Sequence, residues 1–319
     1  MKAVVLAGGY ATRLWPVTRN RPKMLLPVGE QTVIDRILAE LERDDRIDDV
    51  FVSTNERFAD DFETHIANSA FTKPQLSVEE TVDENQKLGV IGALAQLVDR
   101  EGIEGEDVLV VAGDNLISFD IADFLNFFER EGSTTLAAYD VESRKKARQY
   151  GLVQLEGTEV INFQEKPDEP RSTLVSIACY AFPADDVRFA EYLDGGNNPD
   201  EPGWFIQWLQ RRRPIHAFTF EEAWFDIGTP ESYLEAVSWA LDGDTVVADS
   251  ATVEDSTLGE NVHVMGDATV TDSNVDRSII FPETTVEDAD VRDSIVDCEA
   301  LVRDLDLSGA LVGAHSHLP

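Results

Sequence analysis

KAVVLAGGYATRLWPVTRNRPK, residues 2–23, sets an apolar run directly before two glycines and a basic, proline-punctuated turn. The run from Lys2 to Ala7 suits a strand buried in a parallel sheet, and apolar residues from Thr32 to Arg43 recur at helical spacing. Strand, loop and helix thus form one unit, and similar units follow. DVFVSTN precedes a polar helix from Glu56, GVIGALAQLVDR reads as a helix, and VLVVAGDN leads into the helix IADFLNFFER. This alternation predicts an α/β domain with a Rossmann-like mixed, mostly parallel sheet. From Tyr150 the texture turns to hairpin-like strands, YGLVQLE, TEVINFQEKP and VSIACYAF. The helix FIQWLQRRR, the strand PIHAFTF and a last helix after Thr229 complete it.

The helical pattern stops near Gly243. Beyond it aliphatic residues recur in steps of five or six: Val253, Leu258, Val264, Val270, Val275, Ile280, Val286, Val291, Val296, Val302, Leu307, Val312. No helix has that period. Small or acidic residues fill the gaps, which resembles the hexapeptide repeats of left-handed parallel β-helices. A small antiparallel β domain with regular turns is the competing architecture, and the persistence of the spacing favours the β-helix. The five-residue steps imply irregular corners. The expected organisation is an α/β domain over residues 1–243 and a short left-handed β-helix over 244–319.

The chain has 319 residues, 43% of them hydrophobic, enough for a substantial core. Its net charge is −36, and only seven of the 26 basic residues are lysine. Carboxylate excess with scarce lysine reads as a surface adapted to concentrated salt, where screening relieves self-repulsion; an ordinary acidic protein is the plainer alternative. Such a surface repels nucleic acid and anionic membranes. Cys179 and Cys298 lie far apart without metal-ligand spacing and read as reduced core residues. With no leader-like start and no long apolar run, the expected location is the cytoplasm.

Two glycines after a strand are weak by themselves, since any tight turn can use them. Charge distribution strengthens them. Among 62 acidic residues none precedes Glu30, while Arg13, Arg19, Arg21 and Lys23 fall in that stretch. By random placement such a gap arises in roughly one case in several hundred, so the local field reads as built for an anion. Glycine admits close backbone N–H groups and the cations supply countercharge, which suits a polyphosphate.

The run LAGGYATRLWPVTRNRPK resembles the signature of the sugar-nucleotide pyrophosphorylases, nucleotidyltransferases with a GT-A-like fold. Gly8, Gly9, Thr12, Arg13, Leu14, Pro16, Pro22 and Lys23 match the pattern, while Ala11 occupies the third-glycine position, where positive φ disfavours alanine. The resemblance implies nucleotide contacts at Leu6, Gly8, Gly9 and Thr12, and at Glu84 and Gly89 of TVDENQKLGVIGAL, where the base is recognised. Asp114 of LVVAGDN and Asp226 of AWFDIGTPESY match the metal-binding segments and imply Mg²⁺. FQEKP implies that Glu165 accepts bonds from sugar hydroxyls and that Lys166 contacts the sugar phosphate. Gly151, Val175 and Ala178 fall beside the same sugar pocket.

The implied reaction joins a sugar 1-phosphate to a nucleoside triphosphate. Arg13, Lys23 and Lys166 are its catalytic cations, the work being positioning and charge neutralisation. UTP or dTTP with glucose 1-phosphate is the expected pairing, from YATRLWP and WFDIGTP. Guanine with mannose 1-phosphate is the alternative, from LGVIGAL. A silent relative that binds nucleotide sugars and regulates a partner would lose these lysines and carboxylates, and the chain keeps them. A β-helix that also acetylates would need a longer tail, so His263, His315 and His317 read as surface or turn residues. GGYATR lacks the dinucleotide fingerprint. The tail is expected to serve packing and self-association, giving a homo-oligomer.

Overall fold

The computed structural model describes residues 1–79 and 88–319, and the chain divides into two compact units. One comprises Met1–Gly9 and Arg36–Trp224; the other comprises Tyr10–Asp35 and Phe225–Pro319.

The first unit is built on a nine-stranded sheet. Its strands are β1 (Lys2–Leu6), β2 (Asp49–Asn55), β3 (Pro74–Glu79), β4 (Val108–Ala112), β5 (Thr134–Asp140), β6 (Gly151–Glu156), β7 (Glu159–Glu165), β8 (Leu174–Phe182) and β9 (Ile215–Thr219). Their spatial order is β3-β2-β1-β4-β8-β5-β9-β7-β6. β1, β2, β3 and β4 pair in parallel, and β8 runs antiparallel between β4 and β5. The mixed α/β sheet read from the sequence is therefore present. β6 and β7 form the expected hairpin, and β8 pairs with β6 at its start while it also enters the middle of the sheet between β4 and β5. Its pattern explains why: seven of its nine residues are buried, as both faces of a central strand must be.

Helices α1 (Val33–Arg43), α2 (Ala59–Asn68), α3 (Val90–Glu101), α4 (Ile121–Glu131) and α5 (Pro202–Gln210) accompany the strands. A large core joins Leu94 and Leu97 of α3 to Val108, Tyr180, Phe182 and Phe205. Each such fully buried aliphatic or aromatic side chain contributes about 1.5–3 kcal/mol.

In the second unit, strand β10 (Trp224–Asp226) contributes its last two residues and α6 (Pro230–Leu241) follows, opened by Thr229 in a capping box with Ser232. From Val246 onward, three parallel sheets stack coil upon coil, with Val264, Ile280, Val296 and Val312 directly above one another. These residues share one apolar interior with Val270, Val275 and Val286, which makes the segment a parallel β-helix.

The five-residue steps are not irregular corners. The first coil takes 17 residues, and from Val264 onward the ladder repeats at 16, so each later coil takes two five-residue steps and one six-residue step. Asp255, Asn261, Asp267, Asp272, Arg277 and Glu283 mark successive corners in the left-handed region, with φ between 40 and 61°. Asp and Asn tolerate that conformation better than most residues, so corner chemistry accounts for part of the acidic composition. His263 corrects another expectation. It is 8% exposed, its Nδ1 has no hydrogen-bond partner among the described residues, and burial lowers its pKa. His315 and His317 are exposed, and both cysteines are free thiols. Among the described residues no helix is long and apolar enough to cross a membrane.

Candidate active site

β1 lies between β2 and β4, and the chain reverses its direction of travel across the sheet between β1 and β4. In open α/β sheets ligands sit beyond the carboxyl ends of strands at such a reversal. Leu6 pairs with Ala112 there, and the Gly113 amide donates to the Leu6 carbonyl at 2.9 Å. The registry places Leu6, Gly8, Gly9 and Asp114 at one end of the sheet. Two buried side chains at the end of β2 hold the turn. Thr54 Oγ1 donates to the Ala7 carbonyl at 3.2 Å, and Asn55 Nδ2 donates to the Gly8 carbonyl at 2.8 Å. Gly9 is exposed. Asp114 is half-buried and accepts from Asn115 Nδ2 at 3.1 Å, while Asn115 Oδ1 accepts from Trp224 Nε1.

Glu84 lies outside the described residues. A different carboxyl group stands at the turn: a methyl on Gly8 would fall 2.8 Å from Glu79 Oε1. Ser53 Oγ donates to that oxygen at 3.3 Å, and burial raises the Glu79 pKa. The sequence signal was available, because Glu79 ends the strand QLSVE. Gly89 opens α3 with φ 72°, and a side chain there would stand 2.4 Å from the Pro199 carbonyl oxygen, so both backbone and space require glycine.

Further along the same sheet the predicted sugar residues converge. Glu165 ends β7, and its carboxylate lies over two glycines. A Cβ on Gly151 would be 2.9 Å from Glu165 Oε2, and one on Gly203 only 1.6 Å from it. Desolvation pushes the Glu165 pKa up to about 7, with Lys166 opposing and Glu201 adding to the shift. Gln207 Oε1 of α5 accepts from the Glu165 amide at 3.3 Å. The next residue, Lys166, has φ 41°, a strained setting for a long side chain, and its amide donates to the Tyr150 carbonyl at 3.1 Å. Its ammonium pairs with Glu201. Val175 and Ala178 lie on β8. Val175 is fully buried with Ala147 and Leu152, so its side chain packs, while Ala178 is half-buried. Gly203 and Glu201 were not singled out from sequence, because their relevance depends on a fold contact with β7.

Thr12, Arg13, Lys23 and Asp226 belong to the second unit. Ala11 does adopt the conformation its glycine relatives would use, φ 48° and ψ 42°, and its carbonyl accepts from Thr18 Oγ1 at 2.8 Å. Thr12 and Arg13 are exposed, while Lys23 is 8% exposed. Arg13 and half-buried Asp226 flank Gly228, whose absent side chain would lie 3.0 Å from Arg13 Nη2 and 3.4 Å from Asp226 Oδ1. The Gly228 amide donates to the Asp226 carbonyl at 2.8 Å, so the turn IGTP sets the carboxylate beside the guanidinium. Arg21, counted with the anion-binding cations in sequence, is instead paired with Asp297.

Comparison with known proteins gives a consistent picture. A nucleotidyl transferase family model matches residues 2–242. The "Putative mannose-1-phosphate guanyltransferase" of Sulfolobus acidocaldarius is 30% identical over 73% of this chain and 61% of its own length. A glucose-1-phosphate adenylyltransferase of Rhodopirellula baltica is 29% identical over 73% of this chain and 58% of its own. A UTP–glucose-1-phosphate uridylyltransferase of Synechocystis is 25% identical over 76% and 63%. The chain thus spans about six tenths of the length of these curated relatives. A solved Bacillus anthracis structure with bound sucrose shares the fold, with TM-score 0.65 and 23% identity over 76% of this chain and 96% of that one.

Proposed function

Because the chain belongs to the nucleotidyl transferase family, we propose that it transfers a nucleoside monophosphate from a triphosphate to a sugar 1-phosphate, releasing pyrophosphate. The observation that carries this reading is the adjacency of Glu165 and Lys166. A half-buried acceptor for hydroxyls and a cation for a phosphate stand next to each other, which is what a sugar phosphate requires of its binder.

A sugar-phosphate oxygen attacks the α-phosphorus in line, and the bond from that phosphorus to the bridging oxygen breaks as pyrophosphate leaves. The nucleophile is already ionised, so no general base takes part. Lys166 orients it once Glu201 yields the ammonium. Arg13 and Lys23 meet the charge that grows on the β- and γ-phosphates. Asp114 and Asp226 each present a hard carboxylate oxygen, the ligand type that Mg²⁺ takes. Mg²⁺, when bound, would supply Lewis-acid charge neutralisation of the phosphates.

The first substrate pairing we propose is UTP or dTTP with glucose 1-phosphate, supported by the likeness of YATRLWP and WFDIGTP to that subgroup. Guanine with mannose 1-phosphate is a second reading, favoured by the Glu79 carboxyl beside Gly8. A carboxylate can accept from two adjacent guanine donors, whereas uracil and thymine offer one N–H between two carbonyls. Pyrophosphate release across UTP, dTTP, GTP, ATP and CTP, each with glucose, mannose, galactose and N-acetylglucosamine 1-phosphates in molar KCl, tests the proposal. Release with none of them overturns it.

A further inference from the structure

Four residues occupy one equivalent position on successive coils of the β-helix: Met265, Phe281, Asp297 and Gly313. Each follows the strand column His263–Val264, Ile279–Ile280, Ile295–Val296 and Leu311–Val312. Their backbone continues the ladder, as the Phe281 amide donates to the Val296 carbonyl at 2.9 Å and the Asp297 amide to the Val312 carbonyl at 3.0 Å. In a repeat made this way an acid inside the column is out of place. Asp297 is nevertheless 1% exposed.

The segment that follows the glycine turn accounts for it. Arg21 pairs with Asp297 Oδ1, its guanidinium lies 4.8 Å from the Phe281 ring centroid, and its Nη2 is 3.6 Å from Cys298 Sγ. Pro16 occupies the space above Gly313, where a Cβ would come 2.6 Å from Pro16 Cγ. Further on, buried Tyr233 of α6 donates its hydroxyl to the Pro27 carbonyl at 2.7 Å. Three consecutive coils therefore each receive a side chain or ring from the stretch between Thr12 and Lys23.

We propose that this column is the template for the triphosphate-binding segment, and that Arg21 is a positioning residue whose charge belongs to Asp297. A buried carboxylate requires a fixed partner, and a bidentate-capable guanidinium supplies one with little residual freedom. Arg13 and Lys23, on either side of Arg21, inherit that placement. The repeats thus set triphosphate affinity without touching the nucleotide. This inference rests on the proposed transfer reaction for its ligand, but its mechanical part does not.

The test uses the full chain with Asp297→Ala, Gly313→Ala, Arg21→Lys, Arg21→Ala and the Arg21→Ala/Asp297→Ala pair. Amide hydrogen exchange over residues 12–23 is read alongside dissociation constants for UTP, dTTP and GTP and for glucose and mannose 1-phosphates. Faster exchange in that segment is expected for Asp297→Ala and Gly313→Ala, with triphosphate affinity weakened about 10- to 100-fold, as misplacement by roughly an ångström would cause. Sugar phosphate affinity should change less than about twofold, Arg21→Lys should be intermediate, and the double variant should be no worse than either single one. The proposal is overturned if folded Asp297→Ala and Gly313→Ala keep the parent's exchange and triphosphate affinity. It is equally overturned if Arg21→Ala loses affinity while Asp297→Ala does not, since Arg21 would then be a ligand. If the unaltered chain binds no triphosphate, the transfer reading fails, and the exchange data alone decide the mechanical claim.

Discussion

The Glu165 carboxylate occupies the space a side chain on Gly203 would need, since a methyl there would stand 1.6 Å from Glu165 Oε2. Gly203 lies within α5, where alanine is intrinsically favoured by about 1 kcal/mol. Glycine at this position leaves the Glu165 carboxylate the space it occupies.

Gly203→Ala is accordingly expected to raise the sugar 1-phosphate KM at least about tenfold, by moving a group that must be placed to within a fraction of an ångström. The triphosphate KM should stay within about twofold. Steady-state kinetics with each substrate varied in turn checks this, and an unchanged sugar phosphate KM would contradict the cradle.

Glu165 titrates about 7 in the folded chain against an ordinary value of 4.5, because burial penalises its charge. A raised carboxylate pKa contributes stability that is complete below the ordinary value and lost as pH rises through about 7. Relative to Glu165→Gln, the unaltered protein should therefore lose stability between pH 5 and pH 8, read from urea midpoints at the two values. Parallel midpoints would show that the carboxyl is not held in a desolvated site.

Much of this was legible beforehand, for identifiable reasons. Strands such as Val108–Ala112 and helices such as Ile121–Glu131 announce themselves by period and by caps, and both formed where expected. The aliphatic ladder gave the β-helix, because a coil interior admits only inward-pointing apolar residues. What escaped depends on contacts remote in sequence. Leu174–Phe182 reads like its hairpin neighbours, and only the sheet order shows it beside Val108–Ala112. Arg21 reads as a free cation because its partner lies 276 residues away. Glu84 lies outside the described residues, and the approach of Glu79 to Gly8 depends on the pairing that sets the end of β3 near the turn.

Gly89 combines φ 72° with a backbone oxygen 2.4 Å from any added Cβ. Gly89→Ala is expected to destabilise the chain by roughly 1–3 kcal/mol, since strain and overlap act together. Urea denaturation at fixed salt measures it, and a loss below about 0.5 kcal/mol would mean that the Pro199 segment yields easily.

Ala11 is the opposite case, a residue with a Cβ held at φ 48°. Ala11→Gly should relieve about 1 kcal/mol of left-handed strain while adding somewhat less unfolded-state entropy. Stability should hold level or rise by up to roughly 0.5 kcal/mol. A marked loss would show that the alanine methyl packs productively in the turn.

Transfer of a nucleoside monophosphate is the claim on which the chemistry depends, and the fate of labelled phosphorus tests it directly. Purified chain is incubated in molar KCl with Mg²⁺, the sugar 1-phosphates and each triphosphate labelled at either the α- or the γ-phosphate. The account predicts α-label in a nucleotide sugar and γ-label in pyrophosphate, in equal amounts and dependent on the sugar 1-phosphate. Label appearing only as nucleoside diphosphate and inorganic phosphate, or label that never leaves the triphosphate, would contradict it.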